Sequence, residues 1–568
     1  MAEQSASAGY QRTPTVWGVL GHGWAISSVL ISALVLAPVL SLVAIAFSSE
    51  DNIWPHLVST VLPGSVAQTI MLMAGVGIVT LVIGTGSAWL VTMYQFRGRG
   101  AFEWMLLIPL AMPTYIIAFC YVELWDYSGW VQTPLRALFG WTSARDYWFP
   151  EIRSLGGAIT VMSFVLYPYV YLTARASFQQ QSICVLEVAR TLGRSPWGTF
   201  YGVGLPLARP ALAAGVTLAL MECINDIGAV EYLGVNTLTV SVYTTWLERS
   251  SLPGAAQLAC VMLVFVFALL WVERASRRGQ QYHHTTGRYR TLPETRLSGW
   301  RGALATLFCA APIIVGFLIP SIVLVDASLL YWAQMLDERF WLDAWHSLAL
   351  AGTAALIAVC LGLVLAYARR VSTVPLVQGL SRLASIGYAV PGTVLAVGII
   401  GSLADIDSGV NAVSDVLFGV TIGLVLTGSA AGIVFAYTVR FLAISQGAIE
   451  SGLTRISTNL DYAARTLGRT PLGTLMEIHL PLIRPALAAA AILVFVDSMK
   501  ELPATLLLRP FNFDTLATRV YTLASLDLFE ESALAALTIV MIGLLPVLLL
   551  HRTISKGRAG QAALRTQD

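Results

Sequence analysis

Apolar residues run along this chain in stretches of about 20, the length a helix needs to cross the hydrocarbon core with every backbone N–H and C=O satisfied inside the segment. Twelve stretches qualify: 25–47, 66–92, 102–124, 155–176, 209–233, 255–273, 303–325, 344–368, 379–403, 416–440, 485–508 and 533–551. The pattern predicts an all-α membrane protein of about twelve transmembrane helices. The first stretch follows a polar leader, 1–24, and lacks a convincing small-residue cleavage site. It therefore reads as a retained span, with a removed signal peptide as the minor alternative.

The polar loop before the fifth stretch recurs before the eleventh. Between 189–214 and 464–489, 18 of 26 positions are identical without a gap, at a constant offset of 275 residues. Fainter matches lie at an offset of 278: Gln68-Thr69 with His346-Ser347, Ala88-Trp89 with Ala366-Tyr367, and Met112-Pro113 with Val390-Pro391. Small residues and Pro are common in membrane helices, so it is the order of these matches that carries weight. Two repeats of six spans follow, 1–285 and 286–568. Because six is even, both run in the same direction, as parallel repeats related by an axis along the membrane normal.

Composition agrees with the span pattern. Charged residues are 12% of the chain and hydrophobic ones 56%, against about 25% charged in ordinary soluble domains. Most of the 34 Lys and Arg fall on one side if both termini are cytoplasmic, and the link 274–302 alone holds seven Arg. The positive-inside rule selects that orientation. The six Cys are scattered without CxxC spacing and fall mostly within apolar spans, so they read as buried, inert thiols and imply no metal cluster or disulfide framework. A net charge of +2 says nothing about partners, and no feature calls for nucleic acid.

The duplicated loop has a recognisable spacing. Glu187-Val188-Ala189, Gly193 and Val203-x-Leu205-Pro206 reproduce EAA-x3-G-x9-I-x-LP, and Tyr462-Ala463-Ala464, Gly468 and Ile478-x-Leu480-Pro481 do so again. The chain thereby resembles the permease subunits of type I ATP-binding cassette (ABC) importers. In that family the segment forms two short cytoplasmic helices that dock on an ATPase subunit. The resemblance implies roles in ATPase coupling for Glu187, Ala189, Gly193, Leu205 and Pro206 in the loop 187–206. In the loop 462–481 it implies the same for Tyr462, Ala464, Gly468, Leu480 and Pro481. Small Ala side chains permit close packing, Gly permits the turn, and Pro206 and Pro481 are expected to end the pattern before the next span. Tyr462 in place of the first-position Glu makes the second docking site unequal to the first. Arg190, Arg194, Arg209, Arg465, Arg469 and Arg484 suit either an acidic ATPase surface or simple positive-inside anchoring.

After each loop, 221–246 and 494–525 resemble the corresponding segments of the fused ferric iron permeases. That family implies a bacterial inner membrane location, a periplasmic substrate-binding protein and two copies of an ATPase subunit, which hold the ATP and Mg2+. Permeases for thiamine, sulfate, polyamines and aminoethylphosphonate share the same loops and stand as alternative substrates. A secondary transporter of six plus six spans would suit the count but has no reason to carry two EAA loops. The chain holds no Walker A loop, paired carboxylate site outside the spans or nucleophile elbow, so it reads as neither an enzyme nor a cofactor protein, with no permanent metal site.

Charge inside the spans supplies the last candidates. Glu222 and Asp226 are four apart, on one face of the predicted fifth span, and the offset maps them onto Asp497 and Glu501; Lys500 corresponds to Asn225. Charged groups at that depth cost about 3 kcal/mol or more unless paired or facing water, which makes them pathway candidates. The expectation is that Lys500 pairs with Glu222 or Asp226 in the closed state and that opening exposes the carboxylates to a hard cation. A structural ion pair is the competing reading. The acidic residues Asp405, Asp407 and Asp415, with Asp527, Glu530 and Glu531, are expected in outer loops, as a solvated surface or a dock for the binding protein.

Overall fold

The computed structural model describes residues 16–48, 53–181, 189, 191–277, 295–372 and 374–557. Eleven helices among them are long and apolar enough to cross a bilayer, and a bent pair makes a twelfth if counted as one span. The helices used below in the first repeat are α1 (Val16–Ala46), α2 (Leu62–Met93), α3 (Arg99–Met105), α4 (Thr114–Trp125), α5 (Leu155–Gln180), α6 (Leu205–Asn225), α7 (Gly228–Tyr232), α8 (Leu238–Leu247) and α9 (Leu252–Arg277). In the second they are α10 (Gly299–Ile313), α11 (Ile319–Met335), α12 (Glu338–Val371), α13 (Pro375–Ala384), α14 (Gly392–Phe418), α15 (Ala430–Thr454) and α16 (Thr458–Thr466). The chain ends with α17 (Leu480–Met499), α18 (Pro503–Leu508), α19 (Leu516–Ser525) and α20 (Phe529–Gly557). Equivalent helices begin at the sequence offsets: Leu155 with Ala430, Leu205 with Leu480, Gly228 with Pro503 and Thr114 with Gly392.

Several predicted spans are redrawn. The stretch 102–124 is broken: α3 and a 3-10 turn at Ile108–Ala111 meet α4 at 89°. Pro113 has no N–H to continue a helix and forces Met112 out of the helical region, to ψ 114°. Pro391 acts likewise in the second repeat, so 379–403 is not one span. The amphipathic α13 and a 3-10 turn at Ser385–Ala389 precede the break, and the long α14 follows it. The stretch 416–440 is also not one span. Gly419, Gly423 and Gly428 all have positive φ, and the chain turns there before α15 begins. The stretches 209–233 and 485–508 each split into a span and a short helix, α6 with α7 and α17 with α18.

The predicted outer-loop acids Asp405, Asp407 and Asp415 therefore lie within α14. Asp407 is fully buried and accepts from the Leu426 and Thr427 N–H groups at 3.0 and 2.8 Å, closing the glycine-rich turn. Cys120, Cys223 and Cys309 are buried as expected, whereas Cys360 is exposed and Cys184 lies outside the described residues.

The helices fall into two compact units. One comprises 38–350, 389–436 and 499–568. In it α2, α5 and α6 pack through small residues: a Cβ on Gly84 would fall 2.7 Å from Val170 Cβ, and one on Gly215 2.8 Å from Val170 Cα. The buried Arg175 pairs with the half-buried Glu103 at 3.2 Å and ties the end of α5 to α3. A two-residue parallel ladder joins Tyr94–Gln95 to Thr295–Arg296. The other unit comprises 1–37, 351–388 and 437–498. There α12 and α15 touch at Gly362, whose added Cβ would meet Ser445 Oγ at 2.5 Å, and Arg369 pairs with Glu450 at 2.6 Å. Glu450 is the repeat equivalent of Arg175, so both repeats anchor this helix end by an ion pair of opposite polarity.

Candidate functional site

The two EAA loops are built alike, from the same local rules. In the second, Ser457 caps α16 by accepting from the Asn459 N–H. Gly468, at φ 75°, ends the helix in the left-handed conformation that favours glycine, with the Arg469 N–H returning to the Ala464 carbonyl at 3.0 Å. Thr470 then caps a new turn at Pro471–Thr474 by accepting from the Gly473 N–H. In the first loop Gly193 has φ 80°, the Arg194 N–H returns to Ala189 O at 3.1 Å, and Ser195 accepts from the Gly198 N–H. Ala189 and Ala464 are buried, as close packing of the motif demands. Glu187 and Arg190 lie outside the described residues.

Two expectations change. In the second loop α16 stands as the one separate short helix. The turn beginning at Pro471 passes through a π-helical turn, Leu475–His479, straight into α17, and Pro196–Thr199 passes through Phe200–Gly204 into α6. Pro206 and Pro481 accordingly sit inside continuous helix, two residues beyond the π-helical turns, where the widened turn takes up the missing N–H, instead of ending the loops. A displacement of either loop is thereby carried by continuous helix into its span.

The motif spacing did not point to the apolar side chains these loops present. Leu192, Trp197 and Tyr201 in the first, and Leu467, Leu472 and Met476 in the second, are all between 52% and 80% exposed. They occupy equivalent positions in the repeat. Matched apolar triplets on two polar loops are the surface composition of an interface, and their one sequence signal was that shared placement. Tyr462 is exposed beside the second triplet. Arg469 pairs with Glu477 at 3.0 Å, while in the first loop Arg194 lies across Gly202, the equivalent of Glu477.

Beyond the loops, both spans break at the predicted acids. α6 ends at Asn225, so Asp226 does not continue the face of Glu222. Its buried carboxylate instead accepts from the Thr114 hydroxyl at the start of α4 and from the Ala229 N–H at 2.7 Å, capping α7. Asn225 Oδ1 accepts from the Gly392 N–H at 2.6 Å, at the start of α14. In the second repeat α17 ends at Met499, Lys500 occupies the turn, and Glu501 caps α18. The Glu501 carboxylate accepts from Ala504 N–H, Thr505 N–H and Thr505 Oγ1 at 3.0, 3.2 and 2.9 Å. Asp226 and Glu501 thus serve the same local purpose, while Glu222 and Asp497 sit half-buried within their helices. Among the described residues no group of three or more His, Cys, Asp or Glu side chains could hold a metal ion.

Known proteins are similar to this chain in sequence. The Fe(3+)-transport system permease protein FbpB 2 of Haemophilus influenzae is 27% identical over 496 residues, covering 86% of this chain and 89% of its own. The putative ferric transport system permease protein FbpB 1 of the same organism is 23% identical over 517 residues, 87% and 78% of the two chains. The sulfate transport system permease protein CysT of Escherichia coli is 25% identical over 256 residues, 43% of this chain but 87% of its own. The profile of the binding-protein-dependent transport system inner membrane component matches twice, over 80–281 and 358–559. Those matches stand 278 residues apart, contain both EAA loops and cover well over half of the sequence. The chain belongs to that family, as a multi-pass ABC importer permease of the type I fold carrying two fused repeats.

Proposed function

We propose that this chain moves ferric iron from the periplasm to the cytoplasm of a bacterium, as the inner-membrane channel of an importer driven by two copies of a separate ATPase subunit. The observation that carries the substrate is coverage: permeases named for ferric transport align through both repeats, whereas the sulfate permease aligns with 43% of the chain. ATP and Mg2+ belong to the ATPase subunits, and a periplasmic binding protein delivers the substrate. Both termini lie in the cytoplasm, on the side of the Arg-rich link between repeats 1–285 and 286–568.

Each EAA loop docks one ATPase subunit. Glu187, Ala189, Gly193, Leu205 and Pro206 shape the first dock, and Tyr462, Ala464, Gly468, Leu480 and Pro481 the second. The contact itself is made by Leu192, Trp197 and Tyr201, and by Leu467, Leu472 and Met476. Closure of the ATPase pair on ATP draws the docks together, and the continuous helices into α6 and α17 pass that movement to the breaks at Asp226 and Glu501. Nucleotide supplies the free energy; the permease supplies two states with different contacts. In each repeat Glu222 or Asp497 faces the passing cation, Asp226 or Glu501 holds the break in shape, and Lys500 balances charge in the second. Carboxylate oxygens suit a hard trivalent ion.

The test is ATP hydrolysis by the permease and its ATPase subunits in proteoliposomes. Ferric-loaded binding protein should stimulate it, and iron should accumulate inside; stimulation by thiamine, sulfate, polyamine or aminoethylphosphonate with their binding proteins, and none by iron, reassigns the substrate. Native mass spectrometry should give one permease with two ATPase chains. Replacing Trp197 and Leu472 with Asp should strip the ATPase from the purified complex. Retention of both ATPase copies would refute the contact surface.

A further inference from the structure

The second EAA loop is held by a half-buried polar cluster whose residue types the first loop does not carry at the equivalent positions. Arg370, at the end of α12, donates from Nε and Nη2 to Asp461 Oδ2 on α16 at 3.0 and 2.8 Å, and from Nη2 to the Ile456 carbonyl at 3.0 Å. Its Nη1 donates to the Leu453 carbonyl at the end of α15. His479, fully buried where the loop enters α17, has Nε2 2.8 Å from Asp461 Oδ1. Tyr367, one turn before Arg370, lies 5.6 Å from the His479 ring and donates to the Pro471 carbonyl at 2.7 Å. Every contact lies within one of the two units.

The other repeat supplies an internal control. At the position of Tyr367 it has Trp89, at Arg370 Thr92, at His479 Gly204, and at Asp461 Leu186, which lies outside the described residues. Trp89 fills the space that His479 occupies in the second repeat: a Cβ on Gly204 would fall 2.6 Å from its ring, which packs edge-on to Phe178 and against Phe200. Among the described residues the same corner of the fold therefore closes without an ion pair, around Trp89 and two phenylalanines, with one amide hydrogen bond from Gln181 Nε2 to the Gly204 carbonyl at 2.9 Å. Folding alone does not call for the charges, and ion pairs withdrawn from water are weak contributors to stability when uncharged residues of similar volume will pack.

We propose that Arg370, Asp461, His479 and Tyr367 form a clasp that makes the second docking helix and α17 move as one body with the ends of α12 and α15. These are positioning residues: they touch neither nucleotide nor substrate. The clasp rests on the reading that the EAA loops dock ATPase subunits. With it the second dock transmits its displacement rigidly, and the first, whose Arg370 and Asp461 positions hold Thr92 and Leu186, transmits with more give. The importer's stroke is unequal between its two halves.

The experiment grafts the first repeat's uncharged residues into the second, as Tyr367→Trp, Arg370→Thr, Asp461→Leu and His479→Gly together. The full chain is reconstituted with its ATPase subunits in lipid nanodiscs and in proteoliposomes. Spin labels at Thr466→Cys and Ala488→Cys, in a cysteine-free background, report the distance from α16 to α17. Without the graft that distance is narrow and the same with and without ATP. The graft broadens it and lowers iron transported per ATP by about tenfold, the size of an ordinary coupling energy, with ATP hydrolysis maintained. In the otherwise unaltered chain Asp461→Glu keeps the narrow distance, whereas Asp461→Asn broadens it.

A grafted chain with a narrow distance and full transport per ATP overturns the proposal, as does an ungrafted distance that shifts with ATP. A grafted chain that fails to insert overturns it too, by showing that the fold requires the charges. The distance arm needs only ATP and the ATPase subunits, so failure of iron transport with the distances as expected would count against the substrate alone. Failure of the ATPase to bind would count against the docking reading.

Discussion

A chain carrying glutamate at both Gly193 and Gly468 inserts into the membrane at the normal level and loses ATP-driven transport. Both glycines stand at positive φ, 80° and 75°, Gly468 just beyond α16, and around each an added Cβ would meet nothing within 4 Å. The penalty is thus conformational and not steric, about 1–2 kcal/mol for each L residue held in the left-handed region. That is too little to unfold a chain whose spans are fixed by the bilayer, but the loop relieves it by swinging. Arg194 N–H then leaves Ala189 O and Arg469 N–H leaves Ala464 O, bonds of 3.1 and 3.0 Å that set the direction of the next turn. The apolar triplets on either side of the glycine no longer present one surface. Single substitutions give partial loss, with Gly468→Glu the more harmful, because the rigid second dock cannot follow its partner. Stoichiometric co-purification of the ATPase with the double variant, at normal hydrolysis, would refute the role of these turns.

What could be read in the sequence divides along a physical line. The repeat and its loops were legible because turns that need Gly and Pro at fixed positions leave the same spacing in both copies. Hydropathy located most spans but was blind to direction. The stretch 379–403 reads as continuous because α13 is amphipathic and runs on into the apolar start of α14, and only Pro391 marks the break. The segment after Ser414 is as apolar as a span, yet three glycines with positive φ fold it back. Asp407 was placed outside because a lone carboxylate is read as solvated. In the fold two backbone N–H groups satisfy it, a partner no side-chain pattern announces. The clasp was hidden for the same reason. Arg370, Asp461 and His479 stand far apart in the chain, and Arg370 is simply a positive-inside residue until α12 and α16 are brought together.

Separating the acids at the two breaks gives the second large effect. Glu222 and Asp497 lie inside their helices and Asp226 and Glu501 beyond the ends, so the four carboxylates that the repeat relates have two different tasks. Asp226→Ala leaves the Ala229 N–H and the Thr114 hydroxyl without their acceptor, and Glu501→Ala does the same to Ala504 N–H and Thr505 N–H. Each unsatisfied buried group costs about 1–3 kcal/mol. The expected result is a lower yield of folded protein and a lower melting temperature, worst when both are replaced. Asp226→Asn keeps one acceptor and costs less. Glu222→Gln with Asp497→Asn removes two charges and, on the cation-path reading, none of the caps. That chain should fold, assemble with its ATPase and retain basal hydrolysis, while iron uptake falls by about tenfold or more, since an intramembrane charge retained at a cost of several kcal/mol is there for the ion. Normal iron uptake by the Glu222→Gln, Asp497→Asn chain removes the carboxylate path, and loss of its folded state assigns those two acids to structure as well.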